Sequence, residues 1–215
     1  MPTTIYLVRH GESEANERDA FLGHCDLDIT QVGHKQARAV ADFFEKEIGR
    51  PDVIYSSDLA RAYHTAKCTA ERFGLPVFTR ENLREIDAGL WDNVPFQTLI
   101  TQFAESYDTW IHNIGRACCD GGESVEDLQN RVVSEITRIA QNHDGATIFV
   151  FTHATPIRTF AAYCLQKSLD EIKDVPWCSN ASVTKVVFDN GKFALVSYSH
   201  DDFMGDLITK LPSIT

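Results

Sequence analysis

An arginine and a histidine stand side by side near the start of the chain, in Arg9-His10-Gly11-Glu12-Ser13. A guanidinium offers a planar fork of donors that suits a tetrahedral anion, and a neutral imidazole offers a nitrogen nucleophile. Gly11 would let the backbone approach a ligand closely. Taken alone, an Arg-His pair more often means a solvated arginine and a histidine bonded to backbone. The pair indicates phosphate chemistry only if other anion-binding groups lie beside it.

Two further segments supply such groups, and each follows an apolar run. Arg61 comes shortly after the run at residues 53–55, and His153 comes shortly after the run at residues 147–151. Arg61 would lie on the first turn of a helix, whose amino end favours anions. Ligands in open α/β sheets bind outside the carboxyl ends of the strands. The residues predicted to meet there as a phosphate pocket are Arg9, His10, Arg61 and His153.

Short apolar runs rich in β-branched and aromatic residues carry these segments, which is typical of strands buried on both faces of a parallel sheet. Central strands are therefore predicted at residues 5–8, 53–55 and 147–151. Near the carboxyl end, residues 182–188 and 193–198 flank Asn190-Gly191, a strong hairpin signal. These two runs predict an antiparallel hairpin at the edge of the sheet.

Helical patterns separate the predicted strands. Thr30 is placed to cap a helix that continues to Phe44, and Asp58 is placed to cap a second helix that ends at Gly74. Further helices are predicted at residues 96–110, 124–141 and 156–166. Since strands and helices take turns along the chain, the predicted class is α/β.

Composition excludes several classes of protein. The chain has 215 residues, 43% apolar and 24% charged, which excludes a disordered chain and fits one domain over residues 1–215. The formal charge of −11 and the lack of a basic stripe argue against nucleic-acid binding. No apolar run is long enough to cross a membrane, and residues 1–4 lead directly into a strand, so we expect a soluble, cytoplasmic protein. The six cysteines lack metal-ligand spacing and are expected to be reduced.

The order of these motifs resembles the histidine phosphatases, also called the phosphoglycerate mutase-like superfamily. Leu7-Val8-Arg9-His10-Gly11-Glu12-Ser13 with Asn16 is similar to the signature block of the family. Ser57-Asp58-Leu59-x-Arg61-Ala62-x-x-Thr65-Ala66 is similar to the second block. The later similar blocks are Leu83-x-Glu85 with Gly89-x-Trp91, Gly121-Gly122-Glu123-Ser124, Thr152-His153 and Asn180-x-Ser182-Val183. The resemblance implies a mostly parallel central sheet sandwiched between helices, a phosphohistidine intermediate, and no metal or other cofactor.

The resemblance also implies roles for individual residues. His10 becomes the nucleophile, Glu85 becomes the proton donor, and Arg9, Arg61 and His153 hold the phosphate. A nucleophilic His10 needs a neutral attacking nitrogen, so its other ring nitrogen is expected to donate to a backbone carbonyl. We expect His153 to be the protonated histidine. The implied substrate-binding residues are Arg9, Asn16, Gly23, His24, Arg61, Glu85, His153 and Ala154.

Two of these positions raise questions of their own. Glu85 stands in a charged stretch with Glu81 and Asp87, and the residues alone do not separate the three carboxylates. Ala154 stands where the family most often has glycine, so its methyl group is expected to narrow the pocket floor or to shift a backbone amide. The alanine at position 154 removes no proposed catalytic side chain, whereas the choice of Glu85 over its neighbours rests on the resemblance.

Among the activities of the family, we predict a phosphatase. Residues 86–130 are expected to form a lid over the site, and they hold one cation, Arg116, against eight carboxylates. Such a lid would receive a doubly anionic substrate poorly, which favours a small phosphate monoester with a neutral or cationic leaving group. Solvated helix faces would explain the same charges. Aromatic residues such as Phe96 and Trp110 would either line an apolar wall or pack in the core.

Three other activities stay open as alternatives. They are a phosphoglycerate mutase, a protein phosphatase acting on phosphohistidine or phosphotyrosine, and a non-catalytic sensor of a phosphorylated ligand. A sensor would be expected to lack His10 or Glu85, and the long segment between Glu85 and His153 favours a covered site for small molecules. The expected partner is thus a small-molecule phosphate monoester, with no nucleic acid and no membrane, and a homodimer is left open.

Overall fold

The centre of the protein is a six-stranded mixed sheet. The computed structural model describes residues 1–209. The strands are β1 (Thr3–Arg9), β2 (Val53–Ser56), β3 (Val77–Thr79), β4 (Thr147–Thr152), β5 (Val183–Asp189) and β6 (Lys192–His200). Their order is β3-β2-β4-β1-β5-β6, in which the first four are parallel and the β1–β5 and β5–β6 pairs are antiparallel. The α/β prediction with a mostly parallel sheet is confirmed.

Helices cover both faces of this sheet. They are α1 (Glu14–Glu17), α2 (Gln31–Phe43), α3 (Ala60–Phe73), α4 (Phe96–Gln102), α5 (Ala104–His112), α6 (Val125–Asn142) and α7 (Ala154–Cys164). Ile5 and Leu7 of β1 pack with α4 to α7, whereas Tyr6 and Val8 pack with α2 and α3. Successive side chains of a strand point to opposite faces, so β1 is buried on both sides, as its apolar run predicts. Within residues 1–209, none of the helices has the length and apolarity that crossing a membrane requires.

The ends of the helices follow local rules, with one exception. Thr30 Oγ1 accepts from the Gly33 N–H at 3.1 Å and caps α2, as predicted. Gly74 ends α3 in the left-handed conformation (φ 61°), also as predicted. The predicted cap Asp58 is wrong, because α3 begins two residues later without a side-chain cap. Asp58 instead accepts hydrogen bonds from Arg84, an ion pair that local helix rules do not reveal.

Other elements differ from prediction mainly in their boundaries. The helices expected at 124–141 and 156–166 are α6 and α7, shifted by one or two residues. The single helix expected at 96–110 is two helices, because Phe103 leaves the helical conformation at φ −127° and ψ 39°. The hairpin is confirmed, with φ 48° at Asn190 and 77° at Gly191, as its turn type requires. Strand β3 was not predicted, since three partly exposed residues carry little pattern.

The register of the parallel strands brings the predicted site residues to one edge. Arg9 pairs with Thr152, and Ser56 pairs with Phe151, so β1, β2 and β4 end nearly level. The His10 N–H continues this pairing by donating to the carbonyl oxygen of Thr152 at 3.0 Å. The residues that follow the three strands therefore leave the sheet beside one another.

Candidate active site

His10 is the first residue after β1, and its imidazole is buried. Nδ1 lies 2.7 Å from the carbonyl oxygen of Gly11. Because a carbonyl only accepts hydrogen bonds, Nδ1 carries the proton and Nε2 keeps its lone pair. Burial, and then the charges of Arg61 and Arg9, lower the pKa of His10 well below its ordinary value. The ring is therefore neutral at physiological pH, with the hydrogen bond that the sequence predicts for a nucleophile.

His153 follows β4 and lies beside His10, with the ring centroids 5.2 Å apart. Its ring is fully buried, and neither nitrogen has a hydrogen-bond partner among residues 1–209. Burial, and then the charge of Arg61, lower the pKa of His153 well below its ordinary value. The expectation of a protonated His153 is therefore wrong for the protein by itself. Two unpaired buried nitrogens leave the ring available to a ligand.

Arg9 and Arg61 bring two guanidinium groups to the same edge. Nη1 of Arg9 donates to the carbonyl oxygen of Cys178 at 2.6 Å. Arg61 donates to the carbonyl oxygens of Cys25 at 3.1 Å and Gly23 at 2.7 Å. Both side chains are buried, and each Nε has no partner in the described part of the chain. Burial lowers the pKa of Arg61 to about 10, so the group keeps its charge at neutral pH. The two arginines therefore supply positive charge held in place by backbone carbonyl groups, and each keeps an unpaired N–H donor.

Glu85 adds a carboxylate that is only 7% exposed. Its Oε1 accepts from the Ile86 N–H at 2.8 Å, and its Oε2 accepts from the Thr155 N–H at 3.2 Å. Thr155 lies in the first turn of α7, so the amino end of that helix positions the acid. The two competing carboxylates, Glu81 and Asp87, are exposed. Burial therefore separates Glu85 from its neighbours, which the sequence alone could not do.

A pocket of about 620 Å³, counted with its open mouth, is lined by Arg9, His10 and Glu85, whereas Arg61 and His153 do not line it. The other polar residues of its lining are Asn16 and Thr155, and the rest of the lining consists of aromatic and aliphatic side chains. Within residues 1–209, none of the carboxylates of residues 86–130 lines the pocket. The lining of the pocket therefore gives no support to the prediction that carboxylates of residues 86–130 repel a doubly anionic substrate.

The sequence model of one protein family, the histidine phosphatase superfamily (branch 1), matches residues 5–201 of this chain. The chain belongs to the histidine phosphatase superfamily. It is 30% identical over 203 residues to phosphoserine phosphatase 1 of Hydrogenobacter thermophilus, covering 94% of both chains. It is 32% identical over 199 residues to a metal-independent phosphoserine phosphatase of Arabidopsis thaliana, covering 92% of this chain and 81% of that protein. The structure of YhfR from Bacillus stearothermophilus matches with a TM-score of 0.89 at 26% identity, over 94% of this chain and 99% of the other.

In this member of the superfamily, Asn180 links the predicted nucleophile His10 to the predicted phosphate contact Asn16. Nδ2 of Asn180 donates to the carbonyl oxygen of His10 at 3.2 Å and to Oδ1 of Asn16 at 3.1 Å. Asn16 Oδ1 also accepts from the Ser13 N–H at 3.1 Å, which fixes the amide above the pocket. No role was predicted for Asn180, although it stands in one of the blocks that resemble the family. The available signal for Asn180 was its position in the chain just before β5, the strand that pairs with β1.

Sequence reasoning also missed Arg131, a residue of α6 that holds the backbone of Glu85. Its Nη2 donates to the carbonyl oxygen of Glu85 at 2.7 Å, and its Nη1 donates to that of Arg84 at 2.9 Å. Glu123 accepts from Nε of Arg131 at 2.7 Å and from the Asp87 N–H at 3.2 Å. The ion pair of Arg131 and Glu123 therefore fixes the loop on both sides of the acid.

Two predicted residues, Gly11 and His24, have different surroundings from those expected. Gly11 packs backbone to backbone against Gly33 of α2, where a Cβ would lie 2.6 Å from a carbonyl oxygen, so this glycine serves helix packing. His24 directs Nε2 to the carbonyl oxygen of Glu85 at 3.0 Å and lines a neighbouring groove. Ala154 lines the pocket, and the effect of its methyl group on the pocket stays a prediction.

Proposed function

We propose that this protein is a phosphatase that hydrolyses a small-molecule phosphate monoester through a phosphohistidine on His10, without a metal ion. One observation carries the proposal: four buried polar atoms without a partner in residues 1–209 belong to the ring that contacts neutral His10 and to the two arginines whose charges act on it. They are Nε of Arg9, Nε of Arg61 and both ring nitrogens of His153. Buried polar groups are normally hydrogen-bonded, so such a cluster fits a ligand that brings several acceptors. A transferring phosphoryl group presents three equatorial oxygens.

The chemistry divides into two displacements at phosphorus. In the first, Nε2 of His10 attacks, the bond from phosphorus to the ester oxygen breaks, and Glu85 in its acid form protonates the leaving oxygen. In the second, water attacks, Glu85 takes its proton, and the bond from phosphorus to nitrogen breaks, which restores neutral His10. Arg9 and Arg61 stabilise the charge on the phosphoryl oxygens in both steps.

His153 changes its role when the substrate binds. Burial and Arg61 keep its imidazole neutral in the protein by itself. A phosphate dianion beside the ring counters the charge of Arg61 and raises the pKa of His153, since a nearby opposite charge favours the protonated form. The ring then donates to a phosphoryl oxygen and releases the proton when phosphate leaves.

The lining of the pocket disfavours a mutase. The resemblance implies that mutases of the family hold a second anionic group with extra cations. Among residues 1–209, Arg9 is the one arginine or lysine that lines the pocket, and it belongs to the phosphate end. Arg116, the cation of residues 86–130, pairs with Asp170 at 2.7 Å. The relatives named as phosphoserine phosphatases agree with hydrolysis.

Release of 4-nitrophenol from 4-nitrophenyl phosphate tests this proposal. Wild-type protein should turn over equally well with and without EDTA, because arginines supply the charge stabilisation. His10→Asn should lose about 10³-fold or more of kcat, since it removes the nucleophile. His34→Asn, on α2 and partly exposed, is a matched control that should retain activity. A metal-dependent wild type, or an active His10→Asn variant, would overturn the proposal.

A further inference from the structure

Apolar side chains form a large part of the pocket lining. The side chains that form this part, called the aromatic wall below, are Phe21, Leu22, Phe96, Trp110 and Trp177. Apart from Arg9, His10 and Glu85, no titratable residue in the range 1–209 lines the pocket. Those three belong to the phosphate end. A leaving group that extends past Glu85 therefore meets carbon surface.

Mutual packing holds this wall in place. The Phe21 and Trp110 rings lie 4.9 Å apart, edge to face, and Trp110 stacks with Trp177 at 6.0 Å. Phe21 also meets Phe96 edge to face at 6.1 Å. Phe21, Phe96 and Trp110 are buried, whereas Trp177 is partly exposed. A surface that is already ordered loses little entropy when a ring packs on it.

Two charged groups lie near the wall without lining the pocket, and the Nε of one of them, Arg158, has no partner among residues 1–209. The Arg158 guanidinium lies over the Trp177 ring, 4.2 Å from its centroid, and donates to the Lys173 carbonyl oxygen at 3.2 Å. The Asp120 carboxylate accepts from the Trp91 indole N–H at 2.9 Å. Neither Arg158 nor Asp120 lines the pocket. A carboxylate or ammonium group on the leaving alcohol would lose water against the wall without gaining a charged partner from the side chains that form the wall.

We infer that the leaving group is an uncharged aromatic or arylalkyl alcohol seated on the aromatic wall, a specificity that rests on the proposed phosphatase function. The wall selects for a ring by burying apolar surface and by ring-to-ring contact. It selects against phosphomonoesters whose alcohol carries a carboxylate. The chain thus differs in substrate from the relatives that are named phosphoserine phosphatases.

Wild-type kinetics on three alkyl phosphates test the inference. They are 2-phenylethyl phosphate, methyl phosphate and phosphoserine, whose leaving groups are all aliphatic alcohols, so that intrinsic reactivity differs little. Values of kcat/KM should favour 2-phenylethyl phosphate over each of the others by at least about tenfold. A preference for phosphoserine, or equal values for all three, would overturn the inference while leaving the phosphatase function intact. No hydrolysis of any of them, or of 4-nitrophenyl phosphate, would instead overturn the proposed function.

Two variants then locate the specificity. Trp177→Ala should lower the ratio of kcat/KM for 2-phenylethyl over methyl phosphate by about fivefold or more, because part of the wall is lost. Tyr163→Ala, an exposed aromatic away from the pocket, is the matched control and should leave that ratio unchanged. Leu22→Lys should raise the relative kcat/KM for phosphoserine by supplying a cation at the wall. An unchanged ratio in both wall variants would show that the wall does not contact the leaving group.

Discussion

Replacing Glu85 with glutamine separates proton donation from phosphate binding. The amide has nearly the same shape, and its single oxygen can keep one of the two backbone hydrogen bonds now made at 2.8 and 3.2 Å. What disappears is the transferable proton. Loss of a positioned general acid costs about 10²–10⁴-fold, or about 3–5 kcal/mol, when the leaving oxygen needs protonation.

Two substrates of similar size report on that proton. The alkoxide of 4-nitrobenzyl phosphate needs a proton to leave, whereas the phenolate of 4-nitrophenyl phosphate does not. For Glu85→Gln, kcat/KM should fall by about 10²–10⁴-fold on the benzyl ester and by less than about tenfold on the phenyl ester. Values of kcat/KM are compared because they report only the steps up to phosphoryl transfer to His10. They do not include the later attack of water, which is the same for both substrates.

The water step gives the same variant a second signature. Glu85 also accepts the proton of the attacking water, so the phosphoenzyme of Glu85→Gln should hydrolyse slowly. Stopped-flow absorbance with 4-nitrophenyl phosphate should then show a burst of nitrophenol close to one equivalent per enzyme, followed by slow turnover. Glu81→Gln, an exposed neighbour, should behave as wild type. An equal loss of kcat/KM on both esters without a burst would refute the reasoning, because Glu85 would then act only through structure or binding.

Three further predictions concern the anion site and the loop that holds the acid. Arg61→Met should lower kcat/KM for 4-nitrophenyl phosphate by about 10²–10³-fold, because a buried charged donor is lost; near-normal steady-state kinetics would contradict the clamp. Arg131→Met should reduce kcat/KM on the benzyl ester more than on the phenyl ester. In the double variant with Glu85→Gln it should cause little further loss of kcat/KM, whereas additive losses would show that Arg131 does not act through Glu85. The pKa values of His10 and His153 lie below their reference of 6.5, so the unfolded chain binds more protons in mild acid. Urea titrations should show that the free energy of unfolding decreases as pH falls below 6.5, by up to about 1.4 kcal/mol per pH unit for each histidine. The double variant with glutamine at both positions should lose this pH dependence. An unchanged pH dependence in that variant would exclude these histidines as its source.

The residues that follow buried strands were the most predictable part of the site. Residues 5–8 and 147–151 are continuous apolar runs, and the only way to bury them on both faces is in the middle of a sheet. Parallel central strands end at the same edge, so His10 and His153 had to meet once both strands were assigned. The hydrogen bond from His10 Nδ1 to a carbonyl oxygen was also predictable, because a nucleophilic imidazole must keep its other nitrogen unprotonated.

Contacts between distant segments were not predictable in the same way. Arg131 reaches Glu85 across 46 residues, and Asn180 reaches the His10 carbonyl across 170. Nothing in the local pattern of α6 distinguishes Arg131 from an ordinary solvated arginine. The break at Phe103, where the backbone leaves the helical conformation, has no signal in the hydrophobic periodicity.

The charges in the sequence predicted the properties of the site least well, because burial decides where a charged group points and whether a histidine is protonated. The surplus of carboxylates in residues 86–130 suggested an electrostatic barrier, yet none of them lines the pocket among the described residues. Asp120 and Glu123 instead bind Trp91 and Arg131. The neutral state of His153 has the same origin, since burial next to Arg61 outweighs the intrinsic basicity of imidazole.

Rapid-quench labelling with a ³²P-labelled monoester tests the covalent role of His10 most directly. Wild-type protein should acquire up to one equivalent of phosphate that is labile in acid and stable in base, and peptide mapping should find it on the segment that contains His10. The adduct should be hydrolysed at least as fast as the enzyme turns over. Complete absence of such an adduct in Glu85→Gln, the variant in which it should accumulate, would contradict the account.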